Sequence, residues 1–134
     1  MRLIIFSTLV LLIAFTSCDK TLEQKEYKFP FIELNQCADT TIEGQTIQFC
    51  FDSVYDSRCP LNMECFWAGE ATVKLSLRIG TSQKQSFKLS TLNSSPAFKN
   101  DTTISGYKIK LLSVSPYPGD KSNSPYKVEL SVTH

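Results

Sequence analysis

The segment with the most reactive side chains brings two thiols and a thioether together. Cys59 and Cys65 flank a short stretch of chain, and Met63 lies inside it. Sulfur ligands of this kind suit Cu(I), so a periplasmic metal carrier is one hypothesis. The segment has no Cys-x-x-Cys spacing, however, and His134 is the only histidine of the chain. A structural disulfide is the favoured interpretation, and we expect no metal and no cofactor.

Four carboxylates, Asp52, Asp56, Glu64 and Glu70, surround the same segment. A glycosidase needs two such groups facing each other across a cleft, and a small β-domain offers little room for one. We therefore interpret them as solvated charges on loops. The chain also has no Gly-x-Ser-x-Gly sequence, no glycine-rich phosphate loop and no EF-hand pattern. These observations predict a protein that is not an enzyme.

The N-terminal residues have the pattern of a secretion signal. One basic residue, Arg2, precedes an almost unbroken apolar run over residues 3–15. This run is shorter than the roughly 20 residues of a spanning helix. The sequence Thr16-Ser17-Cys18 that follows resembles a bacterial lipobox. We expect residues 1–17 to be a removed signal peptide, and Cys18 to carry diacylglycerol and palmitate-type acyl chains that bind the membrane.

The number of cysteines fits this expectation. Five are present, and four remain once Cys18 is assigned to the lipid. Four cysteines allow three pairings. We favour Cys59 with Cys65, because the short loop between them contains a proline and polar turn formers, and this leaves Cys37 with Cys50 by elimination. Closing so small a ring stabilises a domain by roughly 2–2.5 kcal/mol in the chain-entropy model.

The elements that must position these residues are predicted to be strands. Residues 18–30 read as a charged tether that follows the lipidated cysteine, and residues 31–134 as a single domain. Alternation of apolar and polar residues is clearest over residues 71–79 and 126–132, and weaker over 47–51, 87–89 and 107–111, while residues 31–34 could open the domain. Turn-forming clusters separate these runs. The pattern predicts an all-β fold: a small antiparallel β-sandwich, or a partly open barrel, of about six to eight strands, stapled by disulfides.

The segment from Asp56 to Ala71 carries a resemblance to a known family. It reads Asp-Ser-Arg-Cys-Pro, then a second cysteine, then Trp-Ala-Gly-Glu before the strongest predicted strand. This resembles a family of small, uncharacterised lipoproteins common in Bacteroidetes, and the similarity covers roughly residues 46–133. The resemblance implies an all-β lipoprotein domain without a known activity. It also favours the outer membrane over the inner membrane.

Two interpretations of this segment remain open. In the first, Arg58 bridges a carboxylate or binds loop carbonyls, and Trp67 is buried against the disulfide or caps the core. In the second, Arg58, Met63, Phe66 and Trp67 form an exposed recognition patch, because arginine and aromatic side chains dominate binding hot spots. We favour a buried Trp67.

The expected function follows from the anchor and from the missing catalytic groups. The chain has 14 basic and 13 acidic residues, and removing Arg2 with the signal leaves 13 of each, so nucleic acid is not an expected partner. We expect a lipid-anchored cell-envelope domain that binds an unknown protein or glycan or has a structural role. One alternative is a protease inhibitor that presents the loop from Asp56 to Phe66. Separately, Thr40, Ser53 and Thr102 lie in triplets similar to the O-glycosylation acceptor of Bacteroidetes, and their modification is left open.

Overall fold

Residues 24–134 are described by the structure, a computed structural model of the chain. Over this range the chain forms two antiparallel sheets that face each other, without a helix. The strands are β1 (Glu26–Lys28), β2 (Ile32–Glu33), β3 (Cys37–Ile42), β4 (Gln45–Asp56), β5 (Ala71–Ile79), β6 (Gln85–Ser90), β7 (Asp101–Ile104), β8 (Tyr107–Ser115) and β9 (Lys127–Thr133).

The two sheets have simple topologies. One has the order β1-β9-β8-β7, with β2 also paired to β9, and the other has the order β3-β4-β5-β6. Two hairpins are closed by the two-residue turns Glu43-Gly44 and Ser105-Gly106, in which all four residues have positive φ. This is the geometry of a type I′ turn, whose twist matches that of the flanking strands. Strands β4 and β5, which flank residues 57–70, lie in one sheet, and β8 and β9 lie in the other.

The sandwich has two distinct ends. The loop end consists of residues 57–70, which join β4 to β5, and residues 116–126, which join β8 to β9; the turn end consists of the turns at 43–44, 80–84 and 105–106. The chain joins the fold at the turn end, because Glu26 pairs with Thr133 at the end of β9. At the same end the His134 imidazole Nδ1 lies 2.9 Å from the Glu43 carboxylate and links the two sheets.

The core lies between the sheets and is built from the inward-facing residues of nearly every strand. Burial alternates along β8, as expected for a strand with one face toward a core. The Phe29 and Phe49 rings meet edge to face at a centroid distance of 4.8 Å. The largest fully buried side chains are Phe49, Phe51, Ile32, Ile42, Ile47, Leu75, Leu77, Leu89, Ile109, Leu130, Val73 and Val128.

The predicted all-β class, the antiparallel sandwich and the disulfide staples are confirmed. The alternating runs correspond to β4, β5, β6, β8 and β9, and residues 31–34 contain β2. The sequence did not reveal β1, β3 or β7, which are short edge strands with few apolar residues. The tether was predicted to extend to residue 30, and this boundary is wrong: residues 26–28 pair with β9, and Phe29 is buried in the core.

Candidate functional site

The loop over residues 57–70 is braced where it leaves the sheet. The Ser57 amide donates to the Glu70 carbonyl at 2.7 Å, and the Ser57 hydroxyl donates to the same oxygen at 3.0 Å. That hydroxyl also accepts from the Glu70 amide at 3.2 Å. Further out, the Cys59 amide donates to the Ala68 carbonyl at 3.1 Å. These bonds continue the pairing of β4 with β5 into the base of the loop and fix its direction.

Gly69 makes this close approach possible. Its φ is +65°, and a Cβ at this position would lie 1.8 Å from the Ser57 carbonyl oxygen. No side chain fits so close to a backbone oxygen. Glycine is therefore required here both for its left-handed conformation and for the missing Cβ.

A buried ion pair follows directly after β4. The Arg58 Nε and Nη2 atoms donate to the two carboxylate oxygens of Asp56 at 2.8 and 2.6 Å, a bidentate arrangement. The Arg58 amide donates to Asp56 Oδ1 at 3.1 Å. The two side chains are only 8% and 5% exposed. The loop therefore begins with a charged pair that is shielded from water.

The same guanidinium crosses to the other sheet. Arg58 Nη1 donates to the Val114 carbonyl at 2.9 Å and Nη2 to the Pro116 carbonyl at 3.0 Å. The guanidinium carbon lies 4.4 Å from the centre of the Tyr117 ring. From the residue before β9, the Tyr126 hydroxyl donates to Asp56 Oδ2 at 3.1 Å. We name Asp56, Arg58 and Tyr126 the clasp, since they join the two sheets at the loop end.

The clasp perturbs the ionisation of its members. Burial by itself raises the pKa of Asp56, but the hydrogen bonds and charge of Arg58, with the Tyr126 hydroxyl, outweigh it and hold that pKa below its ordinary value. Burial raises the pKa of Tyr126, and the negative charge of Asp56 adds to the rise. At neutral pH the clasp is therefore an ion pair with a neutral phenol.

Both predicted cysteine pairings are present. Cys59 pairs with Cys65 and closes the outer part of the loop. Cys37 pairs with Cys50 across neighbouring strands of one sheet. The Cys59–Cys65 ring is also tied to the adjacent loop, because the Leu61 amide donates to the Pro118 carbonyl at 2.8 Å. The two loops of this end therefore support each other.

The outer part of the loop projects apolar side chains into solvent. Leu61 is 48% exposed, Met63 65%, Trp67 71% and Phe66 completely. We name these four residues the tip. The amides of Leu61 and Met63 and the disulfide hold the chain in place, while the four side chains lie outside the two sheets. Exposed apolar side chains gathered on one loop are of the kind that is found where proteins bind partners.

The structure decides between the two interpretations residue by residue. The prediction that Trp67 is buried is wrong: the core is already filled from the strands, and the loop that carries this residue lies outside the sheets. For Arg58 the structural interpretation is confirmed, since its donors satisfy a carboxylate and two carbonyls. Met63, Phe66 and Trp67 are exposed together, and Arg58 lies behind them. Nothing in the local sequence pointed to Tyr126, which is distant in the chain.

The carboxylates near the loop do not face each other as a catalytic pair would. The prediction that all are solvated is wrong for Asp56, which is buried in the clasp. Glu70 accepts a hydrogen bond from the Ser90 hydroxyl at 2.5 Å. Asp52 lies 3.7 Å from the Lys84 ammonium, and Glu64 is exposed. Each carboxylate that has a partner is bound by a cation or a hydroxyl, which is a structural arrangement.

Residues 24–134 hold no group of three His, Cys, Asp or Glu side chains placed to bind a metal. Cys59 and Cys65 are joined to each other, so Cu(I) ligation there requires reduction of the disulfide. An open depression of about 280 Å³ lies beside the loop end, with Phe31 and Lys127 among its lining residues. Of the three glycosylation candidates, Ser53 is exposed, whereas Thr40 and Thr102 are half-buried.

The predicted signal peptide and Cys18 lie outside the described residues. In the described part of the chain, no helix is long and apolar enough to span a bilayer. Comparisons with protein-family models, with curated proteins and with solved structures found no match to this chain.

Proposed function

We propose that this protein is a lipid-anchored, non-enzymatic module of the cell envelope that binds a protein or glycan partner through the tip. The observation that carries the proposal is the exposure of Leu61, Met63, Phe66 and Trp67 on a braced loop. Together they expose apolar surface on the order of several hundred Å², the size of the largest apolar patch on a typical monomer, which is often a functional one. Burial of this apolar surface against a partner would supply the free energy of binding.

The brace behind the tip supports a binding role. The ion pair of Asp56 with Arg58, the Cys59–Cys65 disulfide and the bond from Leu61 to Pro118 hold the loop before any partner arrives. A loop that is already ordered loses little conformational entropy on binding. Structural constraint and exposed aromatic side chains are therefore combined in one segment.

The anchor is the second part of the proposal and rests on the N-terminal sequence. The order of Arg2, the apolar run and Thr16-Ser17-Cys18 supports lipidation at Cys18. Several acyl chains, each CH₂ contributing about 0.8 kcal/mol, would hold the domain firmly on a bilayer. The resemblance to Bacteroidetes lipoproteins supports the outer membrane rather than the inner one.

Lipidation is tested by growing cells that express the full chain with radioactive palmitate. The wild type should be labelled and sediment with membranes, and mass spectrometry should show an acylated Cys18 as its first residue. The matched Cys18→Ser chain should be unlabelled. A wild-type protein that retains Met1 and carries no acyl chain contradicts the proposed anchor.

A protease inhibitor is the second candidate, and the form of the loop favours it. Residues 60–66 are all exposed and are closed by a disulfide at their base, as expected of a segment that enters a protease cleft without being cleaved. Inhibition of papain-like and chymotrypsin-like proteases by the purified protein tests this candidate. Met63→Asp should abolish inhibition, and the remote variant Thr81→Asp should not. Rapid cleavage between Cys59 and Cys65 would show that the loop is only a substrate.

A further inference from the structure

We propose that the tip docks into the apolar cleft of a folded protein, and that it is presented on the side of the domain opposite the lipid anchor. The proposal rests on the proposed function, because it takes the anchor at Cys18 as given. It adds the class of partner and the direction from which that partner is reached.

The two ends of the sandwich differ strongly in polarity. The turn end is made of short polar turns, and none of the large exposed apolar side chains in residues 24–134 belongs to those turns. The loop end carries Tyr55 at the end of β4, Tyr117 in the neighbouring loop, and the tip residues Leu61, Met63, Phe66 and Trp67. Phe31, Leu92, Phe98 and Leu112 are exposed as well, but the four most exposed of these side chains, Phe66, Trp67, Tyr55 and Met63, all lie at the loop end.

The anchor is connected to the other end. Glu26 pairs with Thr133, so the chain from Cys18 reaches the fold at the turn end. The eight residue steps from Cys18 to Glu26 span at most about 26 Å. Strand β9 alone covers about 20 Å between the two ends, and the loop extends beyond it. If the tip pointed at the anchoring bilayer, Glu26 would lie more than about 20 Å from it and the tether would have to be nearly straight, so we infer that the tip points away from that membrane.

The chemistry of the tip favours a protein over a glycan. The backbone amides of Cys59, Leu61 and Met63 are already used in internal hydrogen bonds. Leucine, methionine and phenylalanine side chains offer no hydrogen-bond donors to sugar hydroxyls. A sugar site needs several polar groups that converge around the ring, whereas the only donor among the four tip side chains is the indole N–H of Trp67.

The charge of the loop disfavours an anionic membrane surface. Within residues 57–70 the charged residues are Arg58, Glu64 and Glu70. The Arg58 guanidinium is bound by Asp56 and two carbonyls, so the charges that the loop presents to solvent are negative. Segments that bind anionic lipids carry clusters of free Lys and Arg instead. An apolar protein cleft is the partner that these features fit.

The first test introduces the photo-crosslinker p-benzoylphenylalanine in place of Phe66 in cells expressing the full lipoprotein. The matched control places it at Thr81, which is exposed in a turn at the opposite end. We expect one protein adduct from position 66, none from position 81, and loss of the adduct in the Trp67→Ser background. The crosslinked peptide of the partner should line an apolar cleft. No adduct at 66, an equal adduct at 81, or a phospholipid adduct at 66 overturns the proposal.

The second test measures the position of the tip relative to the bilayer. Trp67 is the only tryptophan, so its emission reports on the tip alone. The native lipoprotein is reconstituted into phosphatidylcholine vesicles that contain brominated lipid. We expect no quenching of Trp67, and strong quenching of a Lys20→Trp probe, two residues from the proposed acylated Cys18, in a Trp67→Phe background. Quenching of Trp67 overturns the proposal. If neither probe is quenched, the tip is not presented opposite an anchor, and palmitate labelling shows whether the proposed function has failed with it.

Discussion

The clasp gives the sharpest test of how this fold is held together. In Arg58→Met the guanidinium is replaced by an apolar side chain of similar length. The Asp56 carboxylate then stays buried with the Tyr126 hydroxyl as its remaining clasp partner, and the carbonyls of Val114 and Pro116 lose a donor. The loop also loses its link to the second sheet. We therefore expect the variant to be strongly destabilised.

The magnitude follows from the burial of the pair. Removing one partner of a buried ion pair costs about 3–5 kcal/mol, because the other charge is left uncompensated. A domain of this size has a total stability on the order of 5–15 kcal/mol. The melting temperature should fall by roughly 15–30 °C. The matched control is Arg78→Met. Because Arg78 is exposed on β5, this substitution should lower the free energy of unfolding by about 0.5 kcal/mol or less.

The pH dependence separates this account from a general loss of packing. In the wild type the lowered pKa of Asp56 contributes stability that is present above about pH 4 and is lost as the pH falls through the folded-state pKa. Without Arg58, burial dominates and raises that pKa, so the variant gains stability as Asp56 takes up a proton in acid. The difference in the free energy of unfolding between the wild type and Arg58→Met, measured with urea, should become smaller from pH 7 to pH 3. An unchanged melting curve for Arg58→Met, or a gap independent of pH, refutes this account.

Three further expectations concern the same end of the molecule. Trp67→Ala should lower the free energy of unfolding by less than about 1 kcal/mol, because the Trp67 ring is in solvent. Phe49→Ala should lower it by about 3–5 kcal/mol, because the Phe49 ring is in the core. The fluorescence emission of the wild type should be red-shifted and quenched by iodide. Gly69→Ala should prevent the loop from closing, whereas Gly44→Ala should cost only about 1 kcal/mol, since the space around Gly44 is open; circular dichroism melts distinguish the two. The wild type should lose stability below about pH 4 as Asp56 takes up a proton, and Asp56→Asn should lose less over the same range. The free energy of unfolding, measured as a function of pH in acid, tests this expectation.

The strands were predictable where their residues alternate. In β5, Ala71, Val73, Leu75 and Leu77 are all buried, so a period of two in the sequence directly reports one face of a half-buried strand. The edge strand β3 escaped prediction because its sequence, CADTTI, has little alternation. Edge strands are specified by their neighbours more than by their own residues, and a single sequence carries little of that information.

The sequence by itself indicated the class of fold and the Cys59–Cys65 pairing, and it left Cys37 with Cys50 by elimination; for Arg58 it offered two interpretations. These features depend on alternation, on cysteine number and on residues that are close in the chain. Only the tertiary structure decided that Tyr126 completes the clasp, and that Trp67 lies outside the core. The physical reason is that the space between the sheets is limited. Which side chains fill it depends on how all the strands pack together. The fold also places the start of the domain and the tip at opposite ends, because Glu26 pairs with the last residue of β9.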